Sequence, residues 1–317
     1  MKKFIIKTIV LLAILLVISV GIEVALLFLP NMYSYKHQYI QKHKDDIRVL
    51  FMGNSHILNN IIPDTIGYGV FNNAISGRTP FYDKELVKQY VPVLSHLETL
   101  VIPLDCSRFY FGREIEKDES RSTIDKGIST AKCMYYKYMD VKDDWWYWSE
   151  LLNSKLNFMA RFAMSEKEAI ESDSLGYQML KVSEKKNNWQ TTAIFKDVDQ
   201  TKIINKEEYD QLYLYYAEMA RITKDNNVRL VLLGTPIYKV FKNGMKDVIL
   251  TDRITFVAKL KSKFANVDFY DYTNDDSFVS DDFYNTDHLT ELGAAKFSKK
   301  IKDILFSNIL SDRVIGK

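Results

Sequence analysis

The chain has 317 residues, enough for one large domain or two small ones, with 47% hydrophobic and 26% charged residues. Its 43 basic and 41 acidic residues leave a net charge of +2, so the composition gives no reason to expect a nucleic-acid partner. The five histidines show no ligand-like helical spacing, and we therefore expect no metal site and no cofactor.

The amino terminus is strongly apolar. Residues 8–29 carry a single charge, Glu23, and follow three lysines. At about 1.5 Å per residue, a helix of this length crosses a bilayer core of roughly 30 Å. No small-residue cleavage site follows, so we predict an uncleaved anchor, with residues 1–7 in the cytoplasm and the bulk of the chain outside it. Basic residues also follow the apolar run, which leaves an inverted topology as the alternative.

A strand–helix alternation follows a polar, basic linker at residues 30–46. Apolar runs predict strands at residues 47–53, 67–77, 98–105, 228–236 and 266–272. Helical patterns cover residues 80–96, 207–226, 245–264 and 291–310. Strands separated by helices of this length pair in parallel, with helices on both faces of the sheet. We therefore predict a three-layer α/β/α sandwich around a five-stranded parallel sheet at residues 47–312.

Residues 107–204 interrupt the alternation. They are polar and aromatic without a strand rhythm, and we interpret them as a mostly helical insertion. Residues 142–150 hold three of the four tryptophans, a cluster that fits core packing, sugar stacking or contact with a membrane interface. Cys106 and Cys133 could pair in an exported domain, but two cysteines alone do not establish a disulfide.

The candidate chemistry lies where strands end, because reactive groups of a parallel sheet gather at the carboxyl ends of its strands. Ser55 follows the first strand within Gly53-Asn54-Ser55-His56. A serine hydroxyl needs a base to remove its proton. We do not expect His56 to be that base, since neighbouring side chains point in different directions. His288, in the loop after the last strand, reaches the same edge, so we predict Ser55 as nucleophile and His288 as base.

Other residues at this edge are candidates for supporting roles. Gly77 lies in the loop after the second strand, and its backbone N–H could join that of Ser55 in an oxyanion hole. One such donor is typically worth about 2.7–4 kcal/mol in the transition state. Arg78 follows this glycine, while Asp105 and Arg108 follow the third strand. These three charged side chains are candidates for binding substrate.

The order of these motifs resembles the SGNH (GDSL-like) hydrolase superfamily. Gly53-Asn54-Ser55 is similar to its nucleophile block, the Gly77 loop to its oxyanion glycine, and His288 to its histidine block. The resemblance extends over residues 47–306 outside the insertion and implies a flavodoxin-like fold with acyl-ester chemistry.

Two positions depart from the family pattern. The family commonly has an aspartate three residues before the histidine, where this chain has Asn285. Asp287 or Asp282 could instead orient His288, or a Ser–His dyad could suffice. No Gly-x-Asn block follows the third strand, where Asp105 stands instead. The asparagine donor of the oxyanion hole is therefore missing or comes from elsewhere.

The resemblance also implies a cellular role. The chain looks like membrane-anchored SGNH proteins that modify surface polymers, such as alginate and peptidoglycan O-acetylation proteins and the teichoic acid D-alanine transfer protein. This implies a serine-dependent acyl esterase or O-acyltransferase acting on a cell-surface glycan, with an acyl donor or acylated glycan as substrate and a membrane-bound O-acyltransferase as partner. The alternative is a weakly active or inactive SGNH-fold protein that binds glycan or scaffolds an assembly complex, which Asn285 and the absent third block favour.

Overall fold

The computed structural model describes residues 1–27, 32–109, 170–191, 203–238 and 247–314. The chain divides into two compact units, Met1–His37 with Arg121–Glu171, and Gln38–Ser120 with Ser172–Lys317. The first unit contains a long apolar helix, whereas the second contains the sheet and every candidate catalytic residue.

Helix α1, Lys2–Leu27, is long and apolar enough over Lys2–Gly21 to cross a membrane. The apolar side chains between residues 4 and 20 are exposed, as Leu16 shows at 65%. A signal sequence would have the same properties. The predicted anchor at residues 8–29 therefore coincides with a helix, although residues 28 and 29 lie outside the described part of the chain.

Helix α2, Met32–Lys42, occupies a stretch where we expected a polar linker. The last part of this helix belongs to the second unit and packs there. The Tyr39 ring stacks on the Phe71 ring with centroids 4.1 Å apart, and Ile40 is fully buried. The apolar rings and the isoleucine stabilise a packed helix despite the many polar residues around them.

Five strands of the described residues form one parallel sheet in the order β2-β1-β3-β4-β5. Their bounds are β1 Val49–Phe51, β2 Val70–Asn72, β3 Thr99–Pro103, β4 Arg229–Gly234 and β5 Val267–Asp271. Every pairing between neighbours is parallel, which confirms the predicted five-stranded α/β fold. The chain order reverses between β1 and β3, and in open α/β sheets such a switch point opens the crevice where ligands bind.

Helices cover both faces of the sheet. Those in the part of the chain that the structure describes are α3 Ser55–Leu58, α4 Pro63–Ile66, α5 Pro80–Tyr90, α6 Lys206–Asp225, α7 Asp247–Lys261 and α8 Glu291–Val314. Helix α5 packs on α6, which packs on α7, while α4 packs on α8. Right-handed crossovers place these two groups on opposite faces.

The central strands supply the core. Four consecutive residues of β4, Leu230 to Leu233, have no exposed surface, and neither has Leu100 in β3. Such uninterrupted apolar runs are typical of parallel strands covered on both faces. Complete burial of one of these side chains stabilises the fold by about 1.5–3 kcal/mol.

Part of the predicted insertion is described, and it lies against the sheet domain. The Asn72 N–H at the end of β2 donates to the Leu175 carbonyl at 3.0 Å. The Glu291 N–H donates to the Leu180 carbonyl at 2.9 Å, which ties the same segment to the start of α8. The tryptophan cluster at 142–150 and Cys133 lie outside the described residues, so their predicted roles remain predictions. Cys106 is buried.

Candidate active site

A tight turn between β1 and α3 presents Ser55. Gly53 has φ of +125°, and a Cβ added there would lie 2.3 Å from the Pro103 Cδ at the end of β3. Only glycine allows this close approach of the two strand ends. Asn54 caps the helix, because its side-chain oxygen accepts the His56 N–H at 3.1 Å. Ser55 thus begins α3 at the carboxyl edge of the sheet.

His288 lies next to this serine, in the loop between β5 and α8. Its Nε2 is 2.8 Å from the Ser55 Oγ, within hydrogen-bonding distance. Asn285 shapes the loop, since its Oδ1 accepts the N–H of His288 at 2.7 Å and that of Asp287 at 3.1 Å. The Leu289 N–H donates to the Asn60 Oδ1 at 2.9 Å and fixes the loop to the serine side of the domain.

The second ring nitrogen of His288 determines its tautomer. Its Nδ1 lies 3.0 Å from the Asp287 Oδ1 and 3.1 Å from the Asn285 Oδ1. Carboxylate and amide oxygens only accept hydrogen bonds, so Nδ1 carries the hydrogen and Nε2 is left to accept the Ser55 hydroxyl. This is the tautomer that a serine-activating base requires. Ser55, His288 and Asp287 therefore have the geometry of a catalytic triad.

The other candidate for orienting His288, Asp282, is engaged elsewhere. Its Oδ2 accepts the Val279 N–H at 2.8 Å and lies 2.8 Å from the Lys296 Nζ. Asp282 thus anchors α8 onto the preceding turn, and Asp287 supplies the carboxylate at the histidine.

A second histidine continues the chain of contacts. The His56 Nε2 lies 3.2 Å from the Asp287 Oδ2, and its Nδ1 lies 2.7 Å from the Asp105 Oδ2. The two imidazole rings are 5.0 Å apart between centroids. Five residues thus form a continuous histidine–aspartate chain, consisting of Ser55, His288, Asp287, His56 and Asp105.

Neighbouring opposite charges shift the pKa values of His56, Asp287 and Asp105. Burial by itself would lower the pKa of His56, but the Asp105 and Asp287 carboxylates outweigh it and raise the pKa to about 10. Burial would raise the pKa of Asp287, yet the His288 and His56 rings hold it well below its usual range. The pKa of Asp105 is also lowered, because the effects of His56 and Arg108 exceed that of burial.

The predicted oxyanion donors lie on adjacent segments. The Ile75 N–H donates to the Gly53 carbonyl at 2.9 Å, so the loop after β2 runs beside the turn that carries Ser55. Gly77 has φ of +71°, and an added Cβ would meet nothing within 4 Å. Glycine is therefore needed for the backbone conformation rather than for space. The oxyanion role of Ser55 and Gly77 remains a prediction.

The three charged residues predicted to bind substrate are buried. Arg78, Asp105 and Arg108 expose 2%, 5% and 1% of their surface. Arg78 lies 3.7 Å from Asp83, and the Arg108 Nη2 donates to the Arg78 carbonyl at 3.2 Å. Burial raises the pKa of Asp83 to about 6 even though both arginines act to lower it. Asp105 contacts His56, whereas the two arginines form a buried charged cluster with Asp83. Contact of any of the three with substrate remains a prediction.

Three side chains of the site lie close enough together to serve as ligands of a metal ion. Ligand atoms of His56, Asp287 and His288 lie within 4.8 Å of one another. Each Asp287 oxygen, however, faces an imidazole nitrogen at hydrogen-bonding distance, and the remaining His56 nitrogen faces Asp105. These ligand atoms already have hydrogen-bond partners within the site, so we describe the three residues as part of a hydrogen-bonded chain.

Sequence reasoning missed His56 and Thr235. Thr235 follows β4, and its hydroxyl donates to the Asp105 Oδ1 at 2.9 Å. The sequence excludes His56 as the base for Ser55 and indicates no other role for it, although it follows β1 at the carboxyl edge of the sheet. An aspartate after β3 and a histidine after β1 were the available signals, since neighbouring parallel strands end side by side.

Comparisons with known proteins give only distant similarities. No family model and no curated protein matches the chain. Among solved structures, a candidate acylhydrolase from Bacteroides fragilis NCTC 9343 aligns at 15% identity with a TM-score of 0.42, covering 89% of this chain and 98% of its own. A candidate platelet activating factor from Streptococcus pneumonia aligns at 11% identity with a TM-score of 0.41, covering 87% and 92%. Alignments this weak do not establish an activity.

Proposed function

We propose that the protein is a serine-dependent esterase or O-acyltransferase. The observation that carries this proposal is the 2.8 Å contact between the Ser55 Oγ and the His288 Nε2, with the opposite ring nitrogen 3.0 Å from the Asp287 carboxylate. A nucleophile, its base and a group that orients the base are the parts that covalent acyl chemistry needs.

The reaction follows from these contacts. The Ser55 Oγ attacks the acyl carbonyl while His288 takes its proton, and the backbone N–H groups of Ser55 and Gly77 stabilise the oxyanion. Collapse of the tetrahedral intermediate expels the alcohol, which receives the proton from His288. The acyl group is then bound to Ser55. Water or a sugar hydroxyl attacks this ester with His288 again as base, and Ser55 is released.

The Asp287 carboxylate stabilises the imidazolium that forms at each proton transfer. Asn285 supplies an oxygen at a similar distance from the ring, but an amide has no charge to offset. In this proposal both residues orient the His288 ring, and Asp287 alone compensates its positive charge.

We place this chemistry at the outer face of a cell membrane, on an acylated surface glycan. The apolar length of α1 and the resemblance to membrane-anchored SGNH proteins support this proposal. Transfer from a membrane-bound O-acyltransferase partner to the glycan is the activity that such anchoring favours. Protease treatment of intact spheroplasts tests the orientation. Digestion of the domain supports export, and complete protection contradicts it.

The activity is tested by ester turnover of the full-length protein in detergent, with an acetyl-ester reporter. Wild-type protein should hydrolyse the reporter, Ser55→Ala should not, and Ser262→Ala, which changes an exposed serine at the end of α7, should behave as wild type. Added acetylatable oligosaccharide should divert the acyl group from water if the protein is a transferase. Folded wild-type protein without turnover would instead support the inactive glycan-binding alternative.

A further inference from the structure

Both ring nitrogens of His56 face carboxylates. The Nδ1 lies 2.7 Å from the Asp105 Oδ2, and the Nε2 lies 3.2 Å from the Asp287 Oδ2. Ionised carboxylates accept hydrogen bonds and do not donate them, so both nitrogens must carry a hydrogen. His56 is therefore an imidazolium whose positive charge lies between two negative charges.

The arrangement fixes Asp287 at both of its oxygens. The Oδ1 faces the His288 Nδ1 at 3.0 Å, and the Oδ2 faces the His56 Nε2. A carboxylate held at one oxygen can still rotate, whereas one held at both cannot turn without breaking a charged hydrogen bond. We propose that His56 is a positioning residue, which locks the Asp287 carboxylate in the orientation that supports His288. This inference rests on the proposed acyl-ester activity.

The Asp105 carboxylate stabilises the positive charge on His56 from the side of the ring opposite Asp287. Within the described residues, the titratable groups that face its ring are Asp105, Asp287 and the ring of His288. Thr235 donates its hydroxyl to the Asp105 Oδ1 at 2.9 Å, which leaves the Oδ2 directed at His56. The pKa of about 10 at His56 agrees with an imidazolium throughout the neutral range. His56 thus differs from a general base, which must lose and regain its proton in each turnover.

A double-mutant cycle separates positioning from a merely structural role. Ester turnover is measured for His56→Gln, Asp287→Asn and the double variant, per mole of folded full-length protein. Loss of the charged hydrogen bond to Asp287 predicts that His56→Gln lowers kcat by about 10- to 100-fold, and KM should stay unchanged. If His56 acts through Asp287, the double variant should be no slower than Asp287→Asn alone. Losses that multiply, or a change confined to KM, would overturn the inference. His96→Gln, at an exposed histidine, is the matched control.

The charge on His56 can be measured by NMR spectroscopy, without an activity assay. Ring-¹⁵N-labelled histidine in the full-length protein should give an imidazolium signal at neutral pH that is absent from His56→Gln. Asp105→Asn should move its titration to lower pH, because one of the two compensating charges is lost. A neutral His56 ring at neutral pH in an active enzyme overturns this inference alone. Wild-type protein that has the imidazolium but no turnover overturns the proposed function and, with it, the positioning role of His56.

Discussion

Two histidines contact the two oxygens of Asp287, and they differ in what lies on their other side. His288 has a serine hydroxyl there, whereas His56 has a second carboxylate. The side chain of His288 is 17% exposed and that of His56 is 8% exposed. A hydroxyl can give up its proton to a neutral ring, but two carboxylates, one at each ring nitrogen, hold a ring in its charged form. The partners, rather than the residue type, therefore assign one histidine to proton transfer and the other to a fixed charge.

The largest expected effect comes from the histidine that faces the hydroxyl. His288→Gln removes the base, and by analogy with triad enzymes kcat should fall by about 10⁶-fold. Ester turnover of the purified variant measures this loss. A decrease no larger than that of His56→Gln would contradict the different roles assigned to the two rings.

The shared carboxylate should rank next. Asp287→Asn keeps an oxygen near both rings but removes the charge, and the corresponding change in a serine protease costs about 10⁴-fold in rate. Asn285→Ala should cost much less, because the charge at 3.0 Å from the ring persists. Comparison of kcat for the two variants tests this order. A larger loss for Asn285→Ala would show that orientation, and not charge, limits the reaction.

The pH dependence of stability should distinguish the buried histidine. Because the pKa of His56 is raised from 6.5 to about 10, its stabilising contribution is complete below about pH 6.5 and disappears as the pH rises through about 10. Urea midpoints of wild type should therefore approach those of His56→Gln as the pH rises across this window. A constant difference between the two proteins would contradict a charged His56.

The smallest effect on turnover is expected at Thr235, which contacts the last member of the hydrogen-bonded chain, Asp105. Thr235→Val removes the hydroxyl that donates to the Asp105 Oδ1 and should lower the free energy of unfolding by about 1–2 kcal/mol. Turnover should change far less than in His56→Gln, since the contact between Asp105 and His56 remains. Urea denaturation and the ester assay measure the two effects. A loss of turnover equal to that of His56→Gln would contradict this expectation, because it would mean that Thr235 is needed to orient Asp105 and His56.

The sheet could be predicted from sequence because its strands are short apolar runs separated by helices. β4, Arg229–Gly234, shows why: buried on both faces, it needs no alternation of polar residues. The helix Met32–Lys42 could not be predicted in this way, since its polar composition conceals Tyr39, which stacks on a ring from β2. Packing between distant segments overrides local composition at that point.

The residues of the candidate site also include some that could be predicted from the sequence and some that could not. Ser55 and His288 could be predicted because strand order brings their loops to one edge, and Asp287 is one of the two carboxylates that the sequence offers for orienting His288. The choice between Asp287 and Asp282 depends on loop geometry, to which the Asn285 side chain contributes two hydrogen bonds and Asn60 a third. His56 required knowledge that Asp105 lies beside it, and strand order makes β3 the neighbour of β1.

The central claim, that His288 activates Ser55 as a nucleophile, is tested most directly by covalent labelling. Full-length wild-type protein is treated with a fluorophosphonate, digested and mapped by mass spectrometry. The proposed mechanism predicts one label per chain on the Ser55 peptide, no label in Ser55→Ala, and much slower labelling in His288→Gln. A label on another residue of the folded protein, or labelling at an unchanged rate in His288→Gln, would contradict it.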